Sequence, residues 1–178
     1  MTAIFPTSTA TSTSSSTSRS TSPTPLPTAR RVPRATPQTA RAALAKYLST
    51  HDPLRHVDLT VPERTWVRVE SGADADIWLI TWPVGSSTGW HDHGSASGAF
   101  VVLTGALTEY VWTGVATATT LSTSVREFDG SHVHDVVNHG PQTAVSLHAY
   151  APSLAAMTRY ELVRGRLQVT SVEQRETW

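Results

Sequence analysis

Gly85-Ser-Ser-Thr-Gly-Trp-His91-Asp-His93-Gly-Ser-Ala-Ser-Gly98-Ala-Phe-Val-Val-Leu-Thr-Gly105 is the stretch on which the fold turns. Its second half, Gly98–Leu103, reads as a strand: it is apolar and rich in valine, and glycines bound it. In extended backbone, residues two apart project to the same face, so His91 and His93 direct two imidazoles into one interior. Two ligands on one segment need a third from another strand. His134, in His134-Asp-Val-Val-Asn138, is the natural candidate. His132 forms a second His-x-His with His134 and shares its face in a regular strand, so it stands as the alternative third ligand.

On either side of this stretch the pattern repeats. Thr65–Glu70, Ile77–Trp82, Leu107–Trp112, Ala116–Leu121, His132–Val137, Ala144–Ala149 and Thr158–Val163 are short runs rich in Val, Ile, Thr, Trp and Tyr, with Gly, Pro, Asp and Ser between them. About eight short strands without intervening helical periods predict an all-β antiparallel sandwich or barrel, specifically a double-sheet jelly roll. Upstream, Thr39–Leu48 is rich in helix formers, with Pro37 before it and Asp52-Pro53 as a stop. Ala43, Leu44, Tyr47 and Leu48 make an apolar stripe, which predicts one short helix packed outside the β body.

Residues 1–37 are dominated by Ser, Thr, Pro and Arg and cannot bury enough apolar area to offset their ordering entropy. They read as a disordered tail, with a transit peptide as the functional alternative. Residues 38–178 remain for one domain. With 39% hydrophobic and 16% charged residues, the chain has material for one modest core. Residues 1–51 carry six positive charges and no acid, whereas the remainder is net negative, which does not suit a nucleic-acid binder. No apolar run approaches the roughly 18 residues of a membrane span. The absence of cysteine excludes disulfides, thiolate metal sites and a cysteine nucleophile, and it fits a reducing cytoplasm.

Taken together, Gly85, His91, His93, Gly105, His134 and Asn138 match the two-part motif of the cupins, whose fold is a double-stranded β-helix. The match departs at the glutamate-ligand position, where Gly98 stands. A cupin without that carboxylate resembles the bacterial thiol dioxygenases of the cysteine dioxygenase family, which hold iron through three histidines. Trp82 before the His-Asp-His segment and Ser146-Leu-His148-Ala-Tyr150 after it agree with that family. The resemblance spans roughly residues 64–160.

It implies Fe(II) held by His91, His93 and His134, and oxidation of L-cysteine by O2 to the sulfinate. It further implies a Ser146-His148-Tyr150 row that orients the tyrosine hydroxyl, and a substrate pocket including Tyr150 and Trp82. Arg68, two positions after Trp66, stands where the family's carboxylate-binding arginine falls, with Arg64 as the competing choice. Glutamine at that position in relatives goes with mercaptopropionate-type thiols. Family members with a cysteine cross-linked to the tyrosine have no counterpart here, so Tyr150 acts unmodified. The expected partners are a small thiol and O2, with no nucleic acid or membrane, and the expected state is a cytoplasmic monomer. A different three-histidine cupin enzyme and a non-catalytic metal-binding cupin are the other readings.

Overall fold

The computed structural model describes residues 35–175, so the N-terminal tail proposed above lies outside the described residues but for its last positions. Helix α1 runs Pro37–Thr50, longer at both ends than the apolar stripe suggests. Thr36 and Thr39 cap each other's backbone N–H and Pro37 takes the first turn, where its missing N–H costs nothing. A single 3-10 turn, Pro53–His56, follows.

Ten strands come next: β1 (Thr65–Ser71), β2 (Asp76–Trp82), β3 (Ser97–Thr104), β4 (Leu107–Trp112), β5 (Ala116–Leu121), β6 (Arg126–Phe128), β7 (His134–Val137), β8 (Ala144–Ala151), β9 (Ala156–Val163) and β10 (Arg166–Gln174). All pairings are antiparallel. One sheet has the order β1-β2-β8-β3-β6; a second layer is formed by β5-β4-β7 and by β9-β10. His91 stitches the two parts of that layer together. It exchanges backbone hydrogen bonds with His134 at 2.9 and 3.0 Å and bridges Arg159 on its other side.

The all-β jelly roll expected from the sequence is the fold observed. Two strands go beyond the sequence reading: β6 has only three residues, and β10 is largely exposed with weak apolar alternation. His132 lies outside β7, in the turn before it, where its N–H donates to the Asp129 carbonyl.

Two apolar clusters explain why β3 and β8 read as nearly continuous hydrophobic runs. Their inner faces contribute Phe100, Val102 and Tyr150 to the core between the sheets, alongside Trp82, Leu107, Phe128 and Val136. Their outer faces contribute Ala99, Val101, Leu147 and Ala149, covered by Ala40, Leu44 and Tyr47 of α1. A strand covered on both faces loses the polar alternation of a half-exposed one. Two motif glycines follow from backbone geometry: Gly85 and Gly105 sit at φ +80° and +75°, in turns where any side chain is strained. Among the described residues no helix is long and apolar enough to cross a membrane.

Candidate metal centre and cavity

The segment carrying His91 and His93 is held from both sides. Asn138, fully buried, donates from Nδ2 to the carbonyls of Trp82 and Gln142, fixing the end of β7 against the loop that leads to His91. Asp92, pointing away between the two histidines, accepts from the Tyr160 hydroxyl at 2.7 Å and from the N–H groups of Gly94 and Thr158. Its side chain thus ties the ligand segment to β9.

His91, His93 and His134 converge within the barrel, one ring nitrogen of each lying within 4.8 Å of the others, and all three are buried. The His91 Nδ1–H donates to the Gly89 carbonyl at 2.9 Å, leaving Nε2 with its lone pair. His134 Nδ1 is 2.8 Å from Glu109 Oε1 and donates to it, which again frees Nε2. Both ring nitrogens of His93 are buried and, among the described residues, have no hydrogen-bond partner. An imidazole so placed is costly unless something binds its nitrogen. The donor set fits a metal ion: three neutral nitrogens, two with tautomers set by an outside acceptor and one orphaned.

His132 also turns inward, but toward Glu109, its Nε2 lying 2.8 Å from the same Oε1. It forms a second potential group with Glu109 and His134, apart from His91 and His93. Arg126 Nε donates to the other carboxylate oxygen at 2.8 Å. Burial alone would raise the Glu109 pKa, yet hydrogen bonds from His132, His134 and Arg126 hold it well below the ordinary carboxylate range. Glu109 escaped sequence reasoning. Its signal is faint: an acid two residues after Leu107, on the face of β4 that enters the core. Glu109→Gln should weaken metal binding by about 10–100-fold with the fold retained, as read by calorimetric titration of the metal-free protein.

Burial also sets the charge of the imidazoles. Desolvation lowers the pKa of His91 and His93 well below the ordinary histidine value, assisted by neighbouring imidazoles. It lowers that of His134 despite opposition from Glu109, and that of His148 to about 3. Neutral imidazoles are the form that ligates. Below about pH 6.5 the unfolded chain takes up protons that these folded histidines refuse, so stability present above that pH is lost as pH falls, at about 1.4 kcal/mol per proton per pH unit. The metal-free protein should therefore melt more than about 10 °C lower at pH 5 than at pH 7; a flat profile in thermal melts would contradict neutral buried rings.

Beside the ligands lies a cavity of about 480 Å³, with His91 and His134 in its wall. Trp66, Trp78, Trp82, Leu154 and Met157 make it largely apolar; Arg64, Arg159 and Tyr150 bring the polar groups. Trp90, beside His91, lies outside the cavity wall and packs edge-on against Trp112. Ser146, His148 and Tyr150 alternate along β8 and form a row. Trp82 Nε1–H donates to Ser146 Oγ at 2.8 Å, and Ser146 Oγ is 2.7 Å from His148 Nε2. His148 Nδ1 is 3.4 Å from the Tyr150 hydroxyl. Indole only donates, so Ser146 is left to donate its proton to His148 Nε2. That places the imidazole proton on Nδ1, facing the Tyr150 oxygen, and leaves the phenolic proton for the cavity. Burial raises the Tyr150 pKa, keeping it a phenol at neutral pH.

The structure separates the two arginines. Arg64, Trp66 and Arg68 share one side of the β1 segment by two-residue alternation, but they meet different parts of β2. Arg68, opposite Trp78, has its guanidinium 5.7 Å from that ring and 3.8 Å from the buried Asp76 carboxylate, and it is absent from the cavity wall. Arg64 enters the cavity between Trp66 and Trp82, 5.0 and 5.3 Å from their ring centres. Among the described residues no carboxylate lies within ion-pair distance of Arg64, whereas Arg159 is paired with Glu173 at 2.9 Å. Burial, with Arg159 nearby, pulls the Arg64 pKa below its ordinary value.

A double-stranded β-helix enclosing a buried three-histidine cluster defines a cupin with a candidate metal site. Solved structures share the fold: TT1209 from Thermus thermophilus is 17% identical, with 58% of this chain and 96% of that one covered at a TM-score of 0.52. An uncharacterized conserved protein with a double-stranded beta-helix domain from Klebsiella pneumoniae is 15% identical, with 68% and 96% covered at a TM-score of 0.50. The model of the family "Cysteine dioxygenase type I" matches residues 38–162, well over half of the chain. The chain belongs to that family, and so to the thiol dioxygenases of the cupin superfamily.

Proposed function

We propose that the protein is an Fe(II)-dependent thiol dioxygenase that converts L-cysteine and O2 to cysteine sulfinate, with His91, His93 and His134 as the iron ligands. The observation that carries this reading is a buried three-histidine cluster, two of whose members, His91 and His134, line a cavity that also holds a phenol and a guanidinium with no carboxylate at ion-pair distance among the described residues. Iron(II) held by His91, His93 and His134 would supply the Lewis acidity and the redox capacity that oxygen insertion into a thiol needs. No carboxylate ligand competes there with an anionic thiolate.

The chain's own groups do the rest. Arg64, rather than Arg68, binds the substrate carboxylate, since a half-buried guanidinium without a counter-ion suits a planar anion. Tyr150 donates its proton into the cavity, held in aim by His148, Ser146 and Trp82. Trp66, Trp78, Leu154 and Met157 keep water away from the reacting sulfur. Both oxygen atoms of O2 end on sulfur, so the reaction balances without a further reductant.

One observation favours a second substrate. The cavity's acid, Glu173, is already committed to Arg159, so among the described residues lining the cavity no carboxylate is free to greet a substrate ammonium group. A thiol acid without an amine, of the 3-mercaptopropionate kind, fits that charge pattern. The test is oxygen uptake by anaerobically purified, Fe(II)-loaded protein with each thiol in turn. Uptake matched by sulfinate supports the dioxygenase, and the preferred thiol settles the substrate; no uptake with either, in iron-replete protein, defeats the reading. Tyr150→Phe should lower kcat by about 10²–10⁴-fold with a much smaller change in KM, as initial rates would show. We place the reaction in the cytoplasm, carried out by a monomer, with a small thiol and O2 as its partners.

A further inference from the structure

Position 98 lies five residues after His93, on the inner face of β3, where a cupin carboxylate ligand would project. Phe128 of β6 stands directly opposite it. A Cβ built on Gly98 would lie 2.1 Å from Phe128 Cζ and 2.5 and 2.8 Å from its two Cε atoms. Those distances are impossible for any side chain with the ring in place. Gly98 has no left-handed φ, so space and not backbone freedom demands a glycine there. The ring that takes the space is buried and sits among the histidines, with its centre 4.7 Å from that of His93, 5.2 Å from His132 and 5.5 Å from His134.

We propose that Phe128 is a positioning residue that closes the fourth-ligand position, so that the three-histidine set is enforced by an aromatic plug from the opposite strand. The missing carboxylate is then a two-residue property: Gly98 makes room, and Phe128 fills it while packing against the His93 ring, which no hydrogen bond from the described residues holds. This rests on the reading of His91, His93 and His134 as metal ligands. Its consequence is chemical. The metal keeps three neutral ligands, and the side of the cluster facing β3 is apolar, so anionic groups must approach from the cavity that holds Arg64 and Tyr150.

The experiment is a double-mutant cycle on the full chain with two readouts: the melting temperature of metal-free protein, and Zn(II) and Co(II) affinity by titration. Gly98→Ala should lower the melting temperature by at least about 5 °C, although alanine is ordinarily the better strand residue. Phe128→Ala combined with Gly98→Ala should recover most of the loss caused by Gly98→Ala. Gly98→Glu alone should fold poorly or bind metal no better than the parent. Phe128→Ala with Gly98→Glu should bind metal at least about tenfold tighter than Phe128→Ala, and shift the Co(II) absorption spectrum as a carboxylate joins the set. The proposal is overturned if Gly98→Glu alone folds like the parent and tightens metal binding, because the ring would then move aside freely. It is equally overturned if the two sites show no coupling in melting temperature. If the parent binds neither metal, the three-histidine reading fails and the ligand role of Phe128 falls with it, whatever the coupling.

Discussion

Replacing His93 with leucine is expected to abolish metal loading while leaving the metal-free fold as stable as the parent, or more so. Among the described residues both nitrogens of this buried ring lack a partner, and a buried unsatisfied polar group costs about 1–3 kcal/mol. A side chain of similar bulk without polar atoms removes that cost while keeping the contact with Phe128. A histidine retained for packing alone would behave oppositely, since its loss would open a cavity in the core. Iron bound per chain should fall near zero, and affinity should drop by more than the about 10–100-fold that follows loss of a ligand's hydrogen-bond partner. Thermal melts in chelator, paired with metal analysis, separate the two cases: a lowered melting temperature with metal retained would contradict the ligand assignment.

Arg64→Ala should raise KM for a carboxylate-bearing thiol and reduce kcat/KM by about 30–150-fold, corresponding to the roughly 2–3 kcal/mol of a charge-assisted pair in a desolvated site. Arg68→Ala should leave KM within about threefold. Its guanidinium is engaged by Asp76, which Arg175 also holds at 2.9 Å, so the effect of losing Arg68 falls on stability and is small. A thiol with its carboxylate removed should be insensitive to Arg64→Ala. Steady-state kinetics with the carboxylate and decarboxylated thiols on both variants reads the difference. Equal KM effects from the two arginines would remove Arg64 from its proposed role.

Local pattern carried the fold and the histidine cluster. His91 and His93 alternate on one segment, and the spacing of His134 to Asn138 reflects a real tie, since Asn138 clamps the end of β7 to the loop before His91. Valine-rich β3 and the largely apolar β8 were legible because both are covered on both faces. Long-range register was not legible. Which of Arg64 and Arg68 reaches the cavity depends on where each meets β2 and on the buried Asp76, and two-residue alternation puts both on one side. The roles of Glu109 and Phe128 arise only when β4 meets β7 and β6 meets β3. His132 stands as the alternative to His134 only as long as both are placed in one strand. Once β7 begins at His134, the turn before it sends His132 to Glu109 instead.

We propose that this cavity delivers both atoms of dioxygen to a thiol sulfur. Turnover of Fe(II)-loaded protein under ¹⁸O₂ with L-cysteine and with 3-mercaptopropionate, followed by mass spectrometry of the product, tests it most directly. A sulfinate carrying two ¹⁸O atoms, formed from whichever thiol is consumed, is the predicted result. Disulfide as the sole product, or a sulfur acid whose oxygens come from water, would contradict it.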